Sequence, residues 1–102
     1  MSSQSFSDLK QRALTLSKQF PHQWDAKTHF VDLVEEVGEL GNAILVDGGD
    51  KSEKRRRSDL HDSFADVLFE LILMADECNV DLEKELKEML DGLEKRLANS
   101  EY

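Results

Sequence analysis

Apolar residues between Ser5 and Phe20 fall at Phe6, Leu9, Ala13, Leu16 and Phe20, steps of three and four that mark one face of a helix. Pro21 closes it, because a proline disfavours helical geometry in the residue before it. His22 to Ala26 reads as a connector, and Asp25 or Thr28 is expected to cap a second helix. That helix carries Phe30, Leu33, Val34, Val37, Leu40, Gly41 and Ile44 at helical spacing, and Asp47-Gly48-Gly49-Asp50 ends it with turn chemistry. Ser58 is expected to cap a third helix with an inner stripe of Leu60, Phe64, Val67, Leu71, Ala75 and Cys78, widened by Leu68 and Ile72. Asn79 stops it, and Asp81 caps a fourth helix striped by Leu82, Leu86, Met89, Leu93 and Leu97. The tail from Asn99 to Tyr102 is expected to fray.

No segment alternates as a strand would, so the pattern predicts an all-α, four-helix bundle-like chain forming a single domain over residues 1–102. Gly38 and Gly41 lie inside the second helix, where each costs about 1 kcal/mol relative to alanine. Close helix packing or ligand approach is therefore expected beside them. The third helix is apolar over more than one face, at Val67, Leu68, Leu71, Ile72, Leu73 and Met74. So small a bundle cannot bury all of that alone, which predicts a subunit interface.

Composition narrows the function. The 102 residues hold 13 Lys plus Arg against 22 Asp plus Glu, a net charge of −9. That balance argues against nucleic acid as a partner, since binding a phosphate backbone needs positive patches. A small phosphorylated ligand stays possible if a metal ion or local basic cluster supplies positive charge. Lys51 to Arg57 is such a cluster, read first as a solvated linker, with Lys54 and Arg55 as candidate phosphate contacts. No apolar run is long enough to span a membrane, and no apolar run follows a basic start as in a signal peptide. Cys78 is the single cysteine, which excludes an intrachain disulfide and fits the reducing cytoplasm. Its apolar setting reads as buried filler.

The chemistry concentrates in Glu35-Glu36-Val37-Gly38-Glu39. Glu36 and Glu39 share a helix face, as do Glu35 and Glu39. Three like charges on one turn repel each other, and a divalent cation with a preference for hard oxygen ligands turns repulsion into attraction. The bland alternative is a solvated acidic edge. The third helix repeats the pattern at Asp62, Asp66 and Glu70, and facing helices that each present carboxylates are how bundles build metal sites. His29 and His61 have no partner at ligand spacing and read as ordinary polar or packing residues. Trp24 lies off every stripe, in the connector, and is the best candidate to stack on a nucleobase.

Glu35-Glu36-Val37-Gly38-Glu39-Leu40 resembles the EExxE signature of MazG-type nucleotide pyrophosphohydrolases, in the all-α NTP pyrophosphatase group. Phe64-Ala65-Asp66-Val67-Leu68-Phe69-Glu70-Leu71 resembles the setting of the second motif, ExxD, and Val80-Asp81-Leu82-Glu83 with Lys95-Arg96 resembles the C-terminal helix. The motif-bearing region runs over about residues 28–97. The resemblance implies a helical bundle working as a homodimer or a dimer of dimers (a homotetramer). It implies hydrolysis of a (deoxy)nucleoside triphosphate to monophosphate and pyrophosphate with Mg²⁺ or Mn²⁺, as in house-cleaning of the nucleotide pool. By motif, Glu36, Glu39 and Asp66 match metal ligands, with Asp62 as a further candidate. Glu35 matches the leading acidic residue, a ligand or a water-orienting base. Lys95 and Arg96 join Trp24, Lys54 and Arg55 as candidate substrate contacts. Ser63 stands where the ExxD glutamate is expected, and Met89 and Leu93 stand where a lysine and an asparagine often reach the site. These departures keep a second expectation open: a helical oligomer that binds nucleotide or a protein partner without turnover.

Overall fold

The computed structural model describes residues 4–49 and 57–101, so the basic cluster through Arg56, with Lys54 and Arg55, lies outside the described residues. Four helices follow in order: α1 (Phe6–Ser17), α2 (Ala26–Asp47), α3 (Arg57–Glu77) and α4 (Leu82–Ala98). The chain is all-α, and there is no strand among the described residues. Local chemistry fixes the ends. Ser5 and Asp8 form a capping box at the start of α1, and Asp25 and Asp81 accept from the backbone N–H groups of Thr28 and Lys84. Each such cap contributes about 1 kcal/mol by satisfying a backbone donor that the helix leaves unpaired.

Several boundaries differ from the sequence expectation. Helix α1 ends at Ser17 rather than Phe20, because the chain tightens there: Gln19 and Phe20 donate to Leu16 and Ser17. The Gln23 amide then donates to the carbonyls of Ser17, Lys18 and Phe20, tying the connector back onto the helix end. Helix α3 already includes Arg57, so Ser58 sits within its first turn and is not its cap. At the other end Asn79 adopts a left-handed φ of 57°, with Val80 donating to Ala75 and Asn79 to Asp76. That is a Schellman end with asparagine in the position glycine usually takes. Helix α4 ends likewise at Ser100, with Glu101 donating to Arg96, so Asn99 to Glu101 form a bonded turn and not a frayed tail.

Helix α3 is central. It packs along α2 on one side and against α1 on another, while α4 makes no packing of comparable extent and buries no residue. The apolar core is small: Ala43, Leu60, Ile72, Leu73 and Ala75. The expected inner stripe of α3 is therefore only partly inside. Leu60 and Ala75 are buried, but Phe64 is 56% exposed, and Leu68, Leu71 and Cys78 are exposed too. Helix α2 instead covers the neighbouring face, the one that carries Ser63 and Glu70, both buried. Cys78 falls one residue past the end of α3, out of reach of that cover, so it is an exposed thiol and not filler.

Of the compensations expected beside Gly38 and Gly41, packing by the chain's own helices is not met: a Cβ at either would meet nothing within 4 Å. The chain's own helices do not press on them. For the isolated chain, Gly38→Ala should raise stability by about 0.5–1 kcal/mol, the usual gain from alanine in a helix interior. Chemical denaturation measures it. A loss instead would mean that a second molecule packs against this position.

Candidate active site

Helical spacing places His29, Asp32, Glu36 and Glu39 on one face of α2, in steps of three, four and three. On α3 the same rule aligns Ser63, Asp66 and Glu70. Packing of α2 on α3 brings the two rows together as a polar seam beside the small core. The His29 Nδ1–H donates to Glu70 Oε2 at 3.0 Å, a buried pair joining the helices across 41 residues of sequence. The Trp24 ring packs at 5.6 Å from the His29 ring, tilted by 58°.

The electrostatics of the seam are those of crowded carboxylates. Partial burial pushes the Glu36 carboxyl above its ordinary range, and the charges of Asp66, Asp32, Glu70 and Glu39 push it further in the same direction. Burial likewise raises Glu70; its hydrogen bond from His29 opposes that rise, and neighbouring Asp32 adds to it. The sign of the pH dependence follows. Both groups hold a proton more tightly folded than unfolded, so their contribution to stability is full below their unfolded value near 4.5. It is lost as pH rises through the higher folded values. In thermal melts between acid and neutral pH without divalent cation, Glu36→Gln should flatten this part of the fall. An unchanged profile would place Glu36 outside the cluster.

The other sequence candidates fall in different places. Glu36, Glu39 and Asp66 meet at the seam together with Asp32 and Glu70. Glu35 and Asp62 are exposed and are not among the groups acting most strongly on Glu36, since one step along a helix turns a side chain by about 100°. Lys95 and Arg96 stand in the last turn of α4, where they complement the negative end of the helix dipole. Trp24 is half-exposed and lines a cavity of about 340 Å³ that Phe20, Leu73, His29, Asp32 and Glu70 also line. The sequence reading took His29 as an ordinary polar or packing residue and passed over Asp32. Asp32 carried a usable signal, four residues before Glu36 on the same face; His29 carried none, because its partner lies on another helix.

The donor set suits a hard divalent cation: the groups acting most strongly on Glu36 are all carboxylates, so a cation between them would relieve repulsion that the protein otherwise tolerates. As they stand, no three His, Cys, Asp or Glu side chains among the described residues are arranged to hold a metal ion. Their carboxylates would have to swing inward on binding. Ser63, buried at 7% exposure, offers only a neutral hydroxyl beside them. Ser63→Glu should therefore lower the melting temperature without metal, because burying an unpaired charge is costly. It should also tighten Mn²⁺ binding. Calorimetric titration of Mn²⁺ into both forms measures this, and equal or weaker affinity in the variant would remove position 63 from the metal's surroundings.

The whole architecture has a solved counterpart. The structure is similar to the crystal structure of a Bacillus-conserved MazG protein, described as a nucleotide pyrophosphohydrolase, with a TM-score of 0.75 over 91% of this chain and 93% of that one. Sequence identity is 23%, so the likeness establishes a shared fold. No family model and no curated protein matches the sequence. Among the described residues no helix is long and apolar enough to cross a membrane.

Proposed function

We propose that this protein is a metal-dependent pyrophosphohydrolase acting on a (deoxy)nucleoside triphosphate, releasing the monophosphate and pyrophosphate, in the cytoplasm. The observation that carries this reading is the carboxylate seam itself: partly desolvated acids from two helices, mutually repelling, on a fold shared with a nucleotide pyrophosphohydrolase. Glu36, Glu39 and Asp66 would hold Mg²⁺ or Mn²⁺. When bound, such a cation supplies positive charge for the triphosphate and lowers the pKa of a coordinated water. A protein of net charge −9 needs that supply to accept a polyanion at all. The chain's own residues do the rest. Asp32 and Glu70 add two further carboxylates to the seam, with His29 holding Glu70 in place. Trp24 offers its ring to the base, and Glu35, exposed beside Glu36, is left as a proton acceptor reached from outside. Because Glu35 stands off the seam, Glu35→Gln should lower turnover less than Glu36→Gln does.

The direct test is thermal. Binding to the folded state alone raises the melting temperature, so millimolar Mg²⁺ or Mn²⁺ should raise it in the wild type. Glu39→Gln should abolish the rise while keeping the helical circular dichroism. An equal rise in the variant would defeat the assignment of the metal to this seam.

A second reading has its own observation. The neutral Ser63, and carboxylates that stand apart from any three-ligand arrangement, favour a helical oligomer that binds nucleotide or a protein partner without hydrolysing anything. Nucleotide binding with no pyrophosphate release under any metal condition would select it.

A further inference from the structure

The cavity beside the seam has a mixed lining. Part of it is apolar and aromatic, from Leu14, Phe20, Pro21, Trp24 and Leu73. The carboxylates of Asp32, Glu70, Asp76 and Glu77 also line it. Its volume, about 340 Å³, falls within the range of small-molecule sites. Asp32 and Glu70 also belong to the seam that surrounds Glu36, so the cavity and the candidate metal site share these two residues.

We propose that this cavity selects nucleobases with an amino group at the pyrimidine 4-position or purine 6-position (cytosine, adenine) over uracil and thymine, with Glu70 and Asp32 as the specificity-determining residues. The inference rests on the nucleotide reading above and names the substrate class within it.

Hydrogen-bond inventory decides the preference. A flat ring against Trp24 and Phe20 satisfies the apolar lining whichever base it is. The carboxylates are what discriminate. Ionised carboxylates only accept. Of the two Glu70 oxygens, Oε2 is taken by the His29 Nδ1–H at 3.0 Å, and Glu70 keeps further lone pairs for a ligand. Asp32 stands against Glu70 and strengthens its hold on a proton, as two acceptors side by side do. An amino group donates two N–H bonds and would bridge them. The carbonyl that uracil and thymine present at the same ring position meets acceptors with an acceptor; their neighbouring N3–H can serve one carboxylate, but the carbonyl itself is left unpaired on burial. The donors that line the cavity do not reverse this. Lys18 and His22 are exposed, the Ser17 hydroxyl donates to the Leu14 carbonyl, and the Gln23 amide nitrogen is already committed to the backbone carbonyls of Ser17, Lys18 and Phe20.

Trp24 is the chain's single tryptophan, so its fluorescence reports on this cavity alone. The test titrates deoxycytidine, deoxyadenosine, deoxyuridine and thymidine into the full chain with a chelator present. These nucleosides carry no phosphate, so neither metal nor hydrolysis enters. The amino-bearing pair should bind at least about tenfold more tightly, the scale of leaving one buried polar group unpaired. Glu70→Gln should shrink that ratio to about threefold or less, because an amide can turn its N–H toward a carbonyl. Asp32→Asn tests the same pair of carboxylates should Glu70→Gln lose its helical circular dichroism. Equal affinity for the four nucleosides, binding of none of them, or an unchanged ratio in both variants would overturn the inference. Base-blind binding together with pyrophosphate release would sink it and leave the proposed activity standing; selective binding without any pyrophosphate release would do the reverse.

Discussion

Glu36→Gln should cut pyrophosphate release by roughly a hundredfold or more, the scale of losing one charged group from a preorganised site. Glu36 is chosen because it is the centre of the seam: Asp66, Asp32, Glu70 and Glu39 all act on it. The loss should fall on kcat and kcat/KM together, since the carboxylate serves the reacting phosphates through a bound cation and does not touch the base. The same substitution removes one of five mutually repelling acids. The metal-free protein should therefore melt no lower than wild type at neutral pH, and the divalent-cation increment should vanish. Activity lost together with the fold would leave the assignment unsupported. Activity retained with the fold intact would refute it.

The second large effect concerns assembly, which we propose to be a dimer or a dimer of dimers. The exposed side chains of α2 and α3 include Val34 at 57%, Val37 at 49%, Phe64 at 56% and Leu68 at 43%. Burying such a side chain is worth about 1.5–3 kcal/mol, and α4 likewise leaves Leu86, Met89 and Leu97 uncovered. A second copy covering these faces would supply the core that one chain lacks. Light scattering at micromolar concentration should give at least twice 11.7 kDa. Phe64→Glu, which sets a charge in the middle of the exposed stripe, should shift that mass toward the single chain and lower the melting temperature. A wild-type mass of 11.7 kDa would contradict the assembly and leave the exposed stripe without a partner.

Helices were legible because their signals are local. Ser5, Asp25 and Asp81 cap within three residues of themselves, and the apolar steps of α2 and α4 repeat within a turn or two. What the sequence could not choose was the face of α3 that α2 would cover. Periodicity finds the most apolar stripe, through Phe64 and Leu71, and assigns it inward. In the single chain, α2 covers Ser63 and Glu70 instead, with His29 on its own face bonded to Glu70. Glu36, Glu39 and Asp66 were legible by spacing and by resemblance. His29 was not, since its bond to Glu70 spans 41 residues and leaves no trace in local spacing. The glycines were only partly readable for a related reason: a cost in helix propensity signals that something compensates, but not whether that something belongs to the same chain.

The central claim is that the seam makes this chain a pyrophosphohydrolase, and one assay addresses it directly. The full chain is incubated with each ribo- and deoxyribonucleoside triphosphate in turn, with Mg²⁺, with Mn²⁺ and with a chelator. Nucleotide products and pyrophosphate are then quantified together. The account predicts equimolar monophosphate and pyrophosphate from at least one triphosphate, dependent on the cation and lost in Glu36→Gln. No pyrophosphate from any triphosphate with either cation, or release that persists in the chelator, would contradict it.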